Sequence, residues 1–376
     1  MLAAPPDGRH GSVRPTYAEI DLAAVAHNLA CVRRVAGHAR VYAVIKADAY
    51  GHGLVQVAKR LEQERVDGLC VALAEEGFHL REAQVGTPIL VLNGAYGHSH
   101  AEVLRAGLTP VVYELDQARA FSVAAAAGRQ VRIHLKVDTG MARLGVTLDH
   151  LESFLTALRA LTNIRIDGVM THFASADVDR DFTLLQCQRF VAAVAQVRAA
   201  GHAPRLLHVA NTEGTYADLP VHYDIVRVGL ALYGVSPEVG GGQDLRPAMR
   251  VVSQVLSLRV LPPDTPIGYG GAYRTRTETR VATVPIGYGD GYLRAASNRG
   301  AMLVRGQLCP IVGRVSMDLI TLDVSHLPVV EVGDEVVVLG AQGDARLTAG
   351  DLARAAATIP YEVLCNLSAR VPRVYR

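Results

Sequence analysis

Short apolar runs rich in Val, Ile and Leu punctuate the first two thirds of the chain, at 41–46, 68–73, 88–92, 109–113, 131–137, 164–170, 205–210 and 225–232. Between them lie segments such as "LVQVAKRLEQ", "LDHLESFLTALRAL" and "LLQCQRFVAAVAQVRAAG", with apolar residues three and four apart and charges on the other face. That period is the mark of amphipathic helices packed on a core. Strand then helix, eight times over about 200 residues, predicts a (β/α)8 barrel of the TIM type. A doubly wound open sheet would usually open with a Gly-rich first turn, and no GxGxxG follows the first run.

The ends of the runs are as informative as the runs. They finish in polar clusters: "KADAYG", "LNGAYG", "KVDTGMARLG", "THFASAD", "VANTEG" and "RVGLALYG". In a parallel barrel the carboxyl ends of all strands converge on one mouth, so these clusters are expected around a single cavity.

After "GVSPEVGGGQDLRP" the period changes from helical spacing to alternation, in "VVSQVLSLRVL", "TRVATVPIG", "AMLVRG", "VSMDLITLDV" and "DEVVVLG". The expected organisation is a flexible leader over 1–15, a barrel over 16–242 and a mainly-β domain over 243–376, joined through the Gly/Pro-rich stretch 237–247. Only a short helix at "TAGDLARAAAT" is expected to interrupt the β pattern.

Composition narrows the partners. Lys plus Arg number 38 against 36 Asp plus Glu, a net charge of +2, which supplies no polybasic surface for nucleic acid or anionic lipid. No window approaches the length of a membrane span, and the first fifteen residues lack an apolar signal region. The five cysteines are odd in number, scattered and never Cys-x-x-Cys, which fits a reducing, cytoplasmic compartment. His52, His79, His98 and His100 have no carboxylate or cysteine at ligand spacing, so no metal site is expected.

The chemistry turns on "VYAVIKADAYGHG". An ammonium at the end of a buried strand is costly. Held in a dry mouth, the Lys46 amine gains access to its free-base form and can attack an aldehyde. Spacing alone leaves open a lysine that bends to solvent or pairs with Asp48. What decides between them is resemblance. "AVIKADAYGHG" resembles the pyridoxal-phosphate lysine motif of the alanine racemases, and "RPTYAEIDLAAVAHNL", "LKVDTGMARLG", "THFASAD", "VRVGLALYG", "PIGYGDG", "GRVSMD" and "YEV" resemble that family's other blocks, in order, from about Pro15 onward. The family's architecture is also a barrel followed by a β domain.

The resemblance implies a homodimeric enzyme that interconverts L- and D-alanine by a two-base mechanism on a pyridoxal 5'-phosphate aldimine, supplying D-alanine for peptidoglycan. Lys46 would carry the cofactor and act as one base. Tyr50, Asn211, Thr212, Gly229, Leu230 and Tyr361 would hold the cofactor. Thr212 stands where the family usually has serine; the alternative for its hydroxyl is a loop cap. Arg227 would face the pyridine nitrogen and, unable to give up its proton, keep that nitrogen unprotonated; by spacing alone it could be an outward ion pair with Asp224. Tyr269 would be the second base, reaching a partner's site together with Met317, with Asp318 in support. His172 would link Tyr269 towards Arg227. Arg143 would hold the substrate carboxylate, and Lys136 corresponds to a lysine that is carbamylated in some members. A broader racemase acting on serine, a decarboxylase of similar architecture and a non-catalytic cofactor-binding barrel are the alternatives. The racemase blocks "GYGGAY" and "GRVSMD" count against the decarboxylase, and the 130-odd residues after Gly242 count against the barrel alone.

Overall fold

The computed structural model describes residues 13–126 and 128–376. Most of the leader expected over 1–15 lies outside the described residues. The chain folds as two compact units. One comprises Ala24–Ala49 with Leu54–Arg246, and the other combines the segment ending at Ala23 with Tyr50–Gly53 and Pro247–Arg376.

The first unit is a nearly closed eight-stranded parallel barrel. Its strands are Arg40–Val44, Gly68–Val71, Ile89–Val91, Thr109–Val112, Val131–Asp138, Ile164–Met170, Leu206–His208 and Ile225–Val228. The first seven pair in parallel, each with the next, and the eighth pairs with the first, with Ile225 opposite Arg40. All eight apolar runs therefore form strands, most of them trimmed by a few residues at the carboxyl end. The run 225–232 shows why: the strand stops at Val228 and Leu230–Tyr233 tightens into a 3-10 turn that buries Leu230, Leu232 and Tyr233. The seventh and eighth strands meet without a regular ladder. Single bonds from Asp224 N to Leu207 O (3.0 Å) and from Arg227 N to Ala210 O (2.9 Å) join them. Helices such as Leu54–Gln63 and Leu148–Leu158 bury the apolar stripe that their spacing predicts.

The second unit is mainly β. Its larger sheet runs Gln307–Pro310, Ala301–Val304, Glu335–Gln342, Met249–Gln254, Tyr17–Ile20, Arg373–Tyr375. The strand Tyr17–Ile20 falls within the span expected to form the barrel, yet it pairs antiparallel with Met249–Gln254 and parallel with Arg373–Tyr375. Its burial alternates, as expected of a strand with one covered face. A seventh strand, Ala345–Leu347, pairs with Glu335–Gln342, and a three-stranded sheet of Ser257–Leu261, Thr279–Val284 and Ile320–Asp323 and a hairpin of Pro266–Ile267 with Tyr273–Arg274 accompany this sheet. The expected helix is present at Ala349–Ala356, but it is followed by a second, Pro360–Cys365, opened by a proline at its first turn. That second helix carries Tyr361.

Candidate active site

The stretch after the first barrel strand takes an uncommon path. Strand pairing ends at Val44, and Ala47, Asp48, Ala49 and Tyr50 all have φ between 52° and 54°, a left-handed turn built from four non-glycine residues. Left-handed backbone costs an L-residue roughly 1–2 kcal/mol, so the four together cost on the order of 4–8 kcal/mol. Hydrogen bonds offset part of this. Ala49 N donates to Ile45 O (2.9 Å), Leu54 N to Asp48 Oδ1 (2.7 Å) and Ala47 N to Glu76 Oε1 (2.6 Å). Asp48 is thus engaged with Leu54. The alternation rule that reads Lys46 as the end of a strand misses this turn, because alanines give no signal of positive φ.

The residues that follow, Tyr50–Gly53, belong to the β unit. A Cβ on Gly51 would lie 2.3 Å from Leu364 O and one on Gly53 would lie 1.9 Å from the Tyr375 hydroxyl, so both positions require glycine for space as well as for positive φ. Arg373 Nε donates to Gly51 O (3.0 Å). The Tyr50 and Tyr361 rings lie 5.8 Å apart, tilted by 43°, so two of the expected cofactor-side residues are neighbours within this unit. His52, excluded above as a metal ligand, is buried and its Nδ1 bonds Tyr50 O at 2.9 Å. Among the described residues no group of His, Cys, Asp or Glu is placed to hold a metal ion.

In the barrel, Arg227 is only 2 % exposed. Its Nη1 donates to His208 Nδ1 (2.9 Å), and its Nη2 donates to Thr171 O (2.7 Å) and Val209 O (3.1 Å) and lies 3.3 Å from His172 Nδ1. The side chain thus reaches from the eighth strand to the ends of the sixth and seventh. An outward pair with Asp224 is not formed; that carboxylate accepts from Leu207 N at 2.8 Å. Burial pushes the guanidinium down to about 10, so it is still charged at neutral pH. Because arginine can only donate, His208 Nδ1 must accept. His208 Nε2 then carries the proton and donates to His134 Nδ1 at 2.8 Å. Burial first, then nearby positive charge, holds His208 well below the usual histidine range. His134, also buried, is pushed down to about 4. Neither histidine was among the sequence candidates, although each lies inside a strand-forming run, His134 in "VRIHLKVD" and His208 in "LLHVA".

His172 lies at the end of the sixth strand. Burial, then the charges of Arg227, Arg143, Lys136 and Lys46, hold it well below the usual range and therefore neutral. With Nδ1 accepting from Arg227, its proton sits on Nε2. Lys136 is 6 % exposed and its amine is pushed down to about 8, by burial first and then by Arg143 and Arg227. Arg143 is exposed on a turn organised by Asp138, whose Oδ1 accepts from Gly140 N (2.9 Å), Met141 N (2.9 Å) and Ala142 N (3.2 Å). Gln186, from the long helix Arg180–Ala199, donates to Thr139 Oγ1 and His172 O (3.1 Å each) and so ties these two strand ends together. Thr212 is buried and its hydroxyl accepts from Gly229 N at 3.1 Å, which leaves the hydroxyl hydrogen as a donor. Asn211 caps the short helix Thr212–Tyr216 that Thr212 opens, accepting from Gly214 N at 2.9 Å.

The barrel thus brings Lys136, His172, Arg227, Arg143 and Lys46 within electrostatic reach of one another, and Asp138 is the acid that acts on Lys136 in the opposite sense. Such an excess of cations suits an anionic guest carrying phosphate or carboxylate groups.

The remaining candidates lie in the β unit. Tyr269, on the turn Tyr269–Gly271 of the hairpin, is 72 % exposed, and Met317 is 51 % exposed. Met317 O accepts from Gly289 N (2.9 Å), and Asp318 Oδ1 accepts from Arg370 Nη2 (2.7 Å).

A parallel barrel with a buried arginine on its eighth strand and a lysine directly before a left-handed turn, followed by a mainly-β unit, is the architecture of a class of isomerases. The alanine racemase N-terminal domain model matches residues 20–237 and the C-terminal domain model matches 248–375. The chain belongs to the alanine racemase family. It is 44 % identical over 358 residues to the alanine racemase of Syntrophobacter fumaroxidans, covering 94 % of this chain and 95 % of that one. It is also 44 % identical over 377 residues to the alanine racemase of Sorangium cellulosum, covering 97 % and 100 %. Among solved structures, the alanine racemase from D-cycloserine producing Streptomyces lavendulae superposes with a TM-score of 0.92 at 36 % identity, covering 98 % of each chain. The Bacillus anthracis enzyme with bound L-Ala-P superposes at 0.90 and 31 %, covering 98 % of this chain and 96 % of that one.

Proposed function

We propose that the chain is an alanine racemase that binds pyridoxal 5'-phosphate and works as a homodimer with shared active sites. The observation that carries the reading is the barrel's cluster of Lys46, Lys136, Arg143 and Arg227 around a neutral His172, an arrangement that suits an anionic cofactor and an amino-acid carboxylate. Lys46 would hold the cofactor covalently. Thr212, with its hydroxyl hydrogen left to donate, and the Gly229–Leu230 backbone would hold its phosphate, with Asn211 fixing their turn and with Tyr50 and Tyr361. Bound there, the cofactor supplies an electron sink for the pair left when the α-proton of the substrate departs.

The chain's own residues would do the rest. Arg143 would bind the substrate carboxylate by charge-assisted hydrogen bonds. Lys46 Nζ would take or return the α-proton on one face, and Tyr269 of the partner subunit would do so on the other, because inversion needs a base on each side. A phenol with an ordinary value near 10 is a weak base at neutral pH. The His172 Nε2–H is the kind of donor that steadies the ionised phenol, and Arg227 holds that histidine in the required tautomer through Nδ1. The permanent charge of Arg227 would keep the ring nitrogen without a proton. The exposure of Tyr269 and Met317 supports a role outside their own protomer. Lys136 would be the site of a carbamate. Among the described residues no helix is long and apolar enough to cross a membrane. Action in the cytoplasm on behalf of peptidoglycan synthesis is the reading that membership of the family supports.

The test is a chiral-chromatography assay of purified protein against a panel of L-amino acids, with an absorbance scan of the same sample. A yellow protein that racemises alanine fastest is expected; a colourless protein that racemises none of the panel would overturn the reading.

A further inference from the structure

The carboxylate of Glu76 gathers three backbone donors from two loops. Oε1 accepts from Ala47 N at 2.6 Å, and Oε2 accepts from Ala72 N at 2.8 Å and Leu73 N at 3.1 Å. Glu76 is the third residue of the helix Ala74–Glu82, so its bond to Leu73 N is the ordinary way for a glutamate to cap its own helix. That cap is the longest of the three bonds. The shortest spans 29 residues and lands on the first left-handed residue of the turn, directly after Lys46. A helix cap alone would not need it.

Ala47 is an alanine at φ 53°, a conformation it has no intrinsic reason to adopt. The peptide between Lys46 and Ala47 points its N–H at a fixed carboxylate, which sets the plane of that peptide and with it the direction in which the Lys46 side chain leaves the backbone. We infer that Glu76 is the positioning residue for Lys46, holding its amine on one face of the substrate. The inference rests on the reading of Lys46 as a base.

A positioning role predicts a signature that a purely structural role lacks. If Lys46 removes the α-proton from one alanine enantiomer and returns it when the other reacts, displacing Lys46 lowers kcat/KM equally in both directions, but the slowed step breaks the Cα–H bond of one enantiomer only. The experiment uses the cofactor-loaded enzyme and measures kcat, KM and the primary isotope effect with α-deuterated L- and D-alanine. Glu76→Gln keeps the size of the side chain but turns an N–H2 group towards one set of backbone donors. It should lower kcat by about 10- to 100-fold with little change in KM, the range a misplacement near 1 Å produces. The isotope effect should rise for the enantiomer that Lys46 deprotonates and fall, or fail to rise, for the other. Tyr269→Phe should give the mirror pattern. Ala47→Gly loosens the same turn without touching Glu76 and removes its steric penalty. It should show the same one-sided isotope signature, at about 3- to 10-fold lower kcat, without loss of thermal stability. Glu76→Asp, one methylene shorter, should fall between Gln and wild type. Isotope effects that rise equally for both enantiomers, or rates that follow melting temperature across the series, would overturn the inference, as would unchanged kinetics. A wild-type protein without a visible cofactor band, or an active Lys46→Ala variant, would instead overturn the functional reading and this inference with it.

Discussion

The two units present their candidate residues in opposite ways. In the barrel, Arg227 and Lys136 are 2 % and 6 % exposed, and Arg227 is fixed by named acceptors in His208, Thr171 and Val209. In the β unit, Tyr269 and Met317 are 72 % and 51 % exposed and are placed by the course of their turns. The barrel uses burial and hydrogen bonds to hold cations together against their mutual repulsion. The β unit uses glycines at positive φ, such as Gly268 at 71° and Gly270 at 70°, to present a phenol outward. A group built to act on its own protomer has reason to be enclosed, and a group built to complete another's site has reason to be displayed.

The most severe test removes the barrel's contribution. Lys46→Ala should lose racemisation by on the order of 10⁴-fold or more, since both a covalent anchor and a base disappear. A variant within tenfold of wild type in the chiral assay would show that the barrel lysine is not the reacting group. The comparison itself is tested by mixing. Lys46→Ala and Tyr269→Phe chains, each nearly inactive, should regain about one quarter of the wild-type rate after complete subunit exchange, because half of the dimers are hybrids and each hybrid has one intact site. Exchange followed by no recovery would place both residues in one protomer's site, and the exposure of Tyr269 would then serve no second protomer.

Arg227 tests the enclosed half. Arg227→Glu would set a carboxylate against the carbonyl oxygens of Thr171 and Val209, so loss of the fold is the expected outcome and the variant is a poor probe of chemistry. Arg227→Gln retains one donor group and should fold. It should lower the melting temperature by several degrees, for the acceptors left unpaired, and reduce kcat by about 10- to 100-fold. A variant as stable and active as wild type would return Arg227 to a dispensable role. A smaller effect is expected at the turn that presents Arg143. Asp138→Asn weakens the three-donor cluster from Gly140 to Ala142, and KM for alanine should rise by about 3- to 10-fold with kcat nearly constant. The reverse split would mean that Arg143 does not hold the substrate.

How much could be read from the sequence differs by level. The barrel strands were readable because each is a short, largely buried run rich in Val, Ile and Leu that ends in a polar cluster, even where Lys136 or Asp167 interrupts it, and Leu54–Gln63 because its apolar stripe is clean. The strand Tyr17–Ile20 was assigned to the wrong unit because "YAEI" alternates without saying which partner it meets; only the chain's return at Met249–Gln254 and Arg373–Tyr375 decides that. The strand expected over "VSMDLITLDV" shrinks to Ile320–Asp323, because Ser316 and Leu319 close a turn on themselves. The left-handed path of Ala47–Tyr50 was invisible, since tertiary hydrogen bonds impose it on residues with no preference for it. The candidate residues came from resemblance in ordered blocks, and the residues that support them, Glu76, Gln186, His208 and His134, came from geometry alone.

The smallest effect is a matter of sign, and Lys136 supplies it. Its amine is pushed from 10.5 to about 8 by burial and by Arg143 and Arg227. A shift of that size corresponds to about 3 kcal/mol of differential stabilisation. Below about pH 8 the amine is protonated in both folded and unfolded chains, and the folded state bears the whole cost of enclosing the charge. Between about 8 and 10.5 the folded amine is neutral while the unfolded one still binds a proton, so the unfolded state holds more protons and stability rises with pH. Above 10.5 the difference is gone. In bicarbonate-free buffer, cofactor-free Lys136→Met should therefore melt a few degrees above wild type at about pH 7, with the gap closing towards about pH 10. Bicarbonate should narrow the gap near pH 8, where a neutral amine is available to form a carbamate whose negative charge would offset the neighbouring arginines. A Lys136→Met gap that is constant across this range would mean that the amine keeps an ordinary proton affinity and that the barrel's cations do not crowd one another as their burial implies.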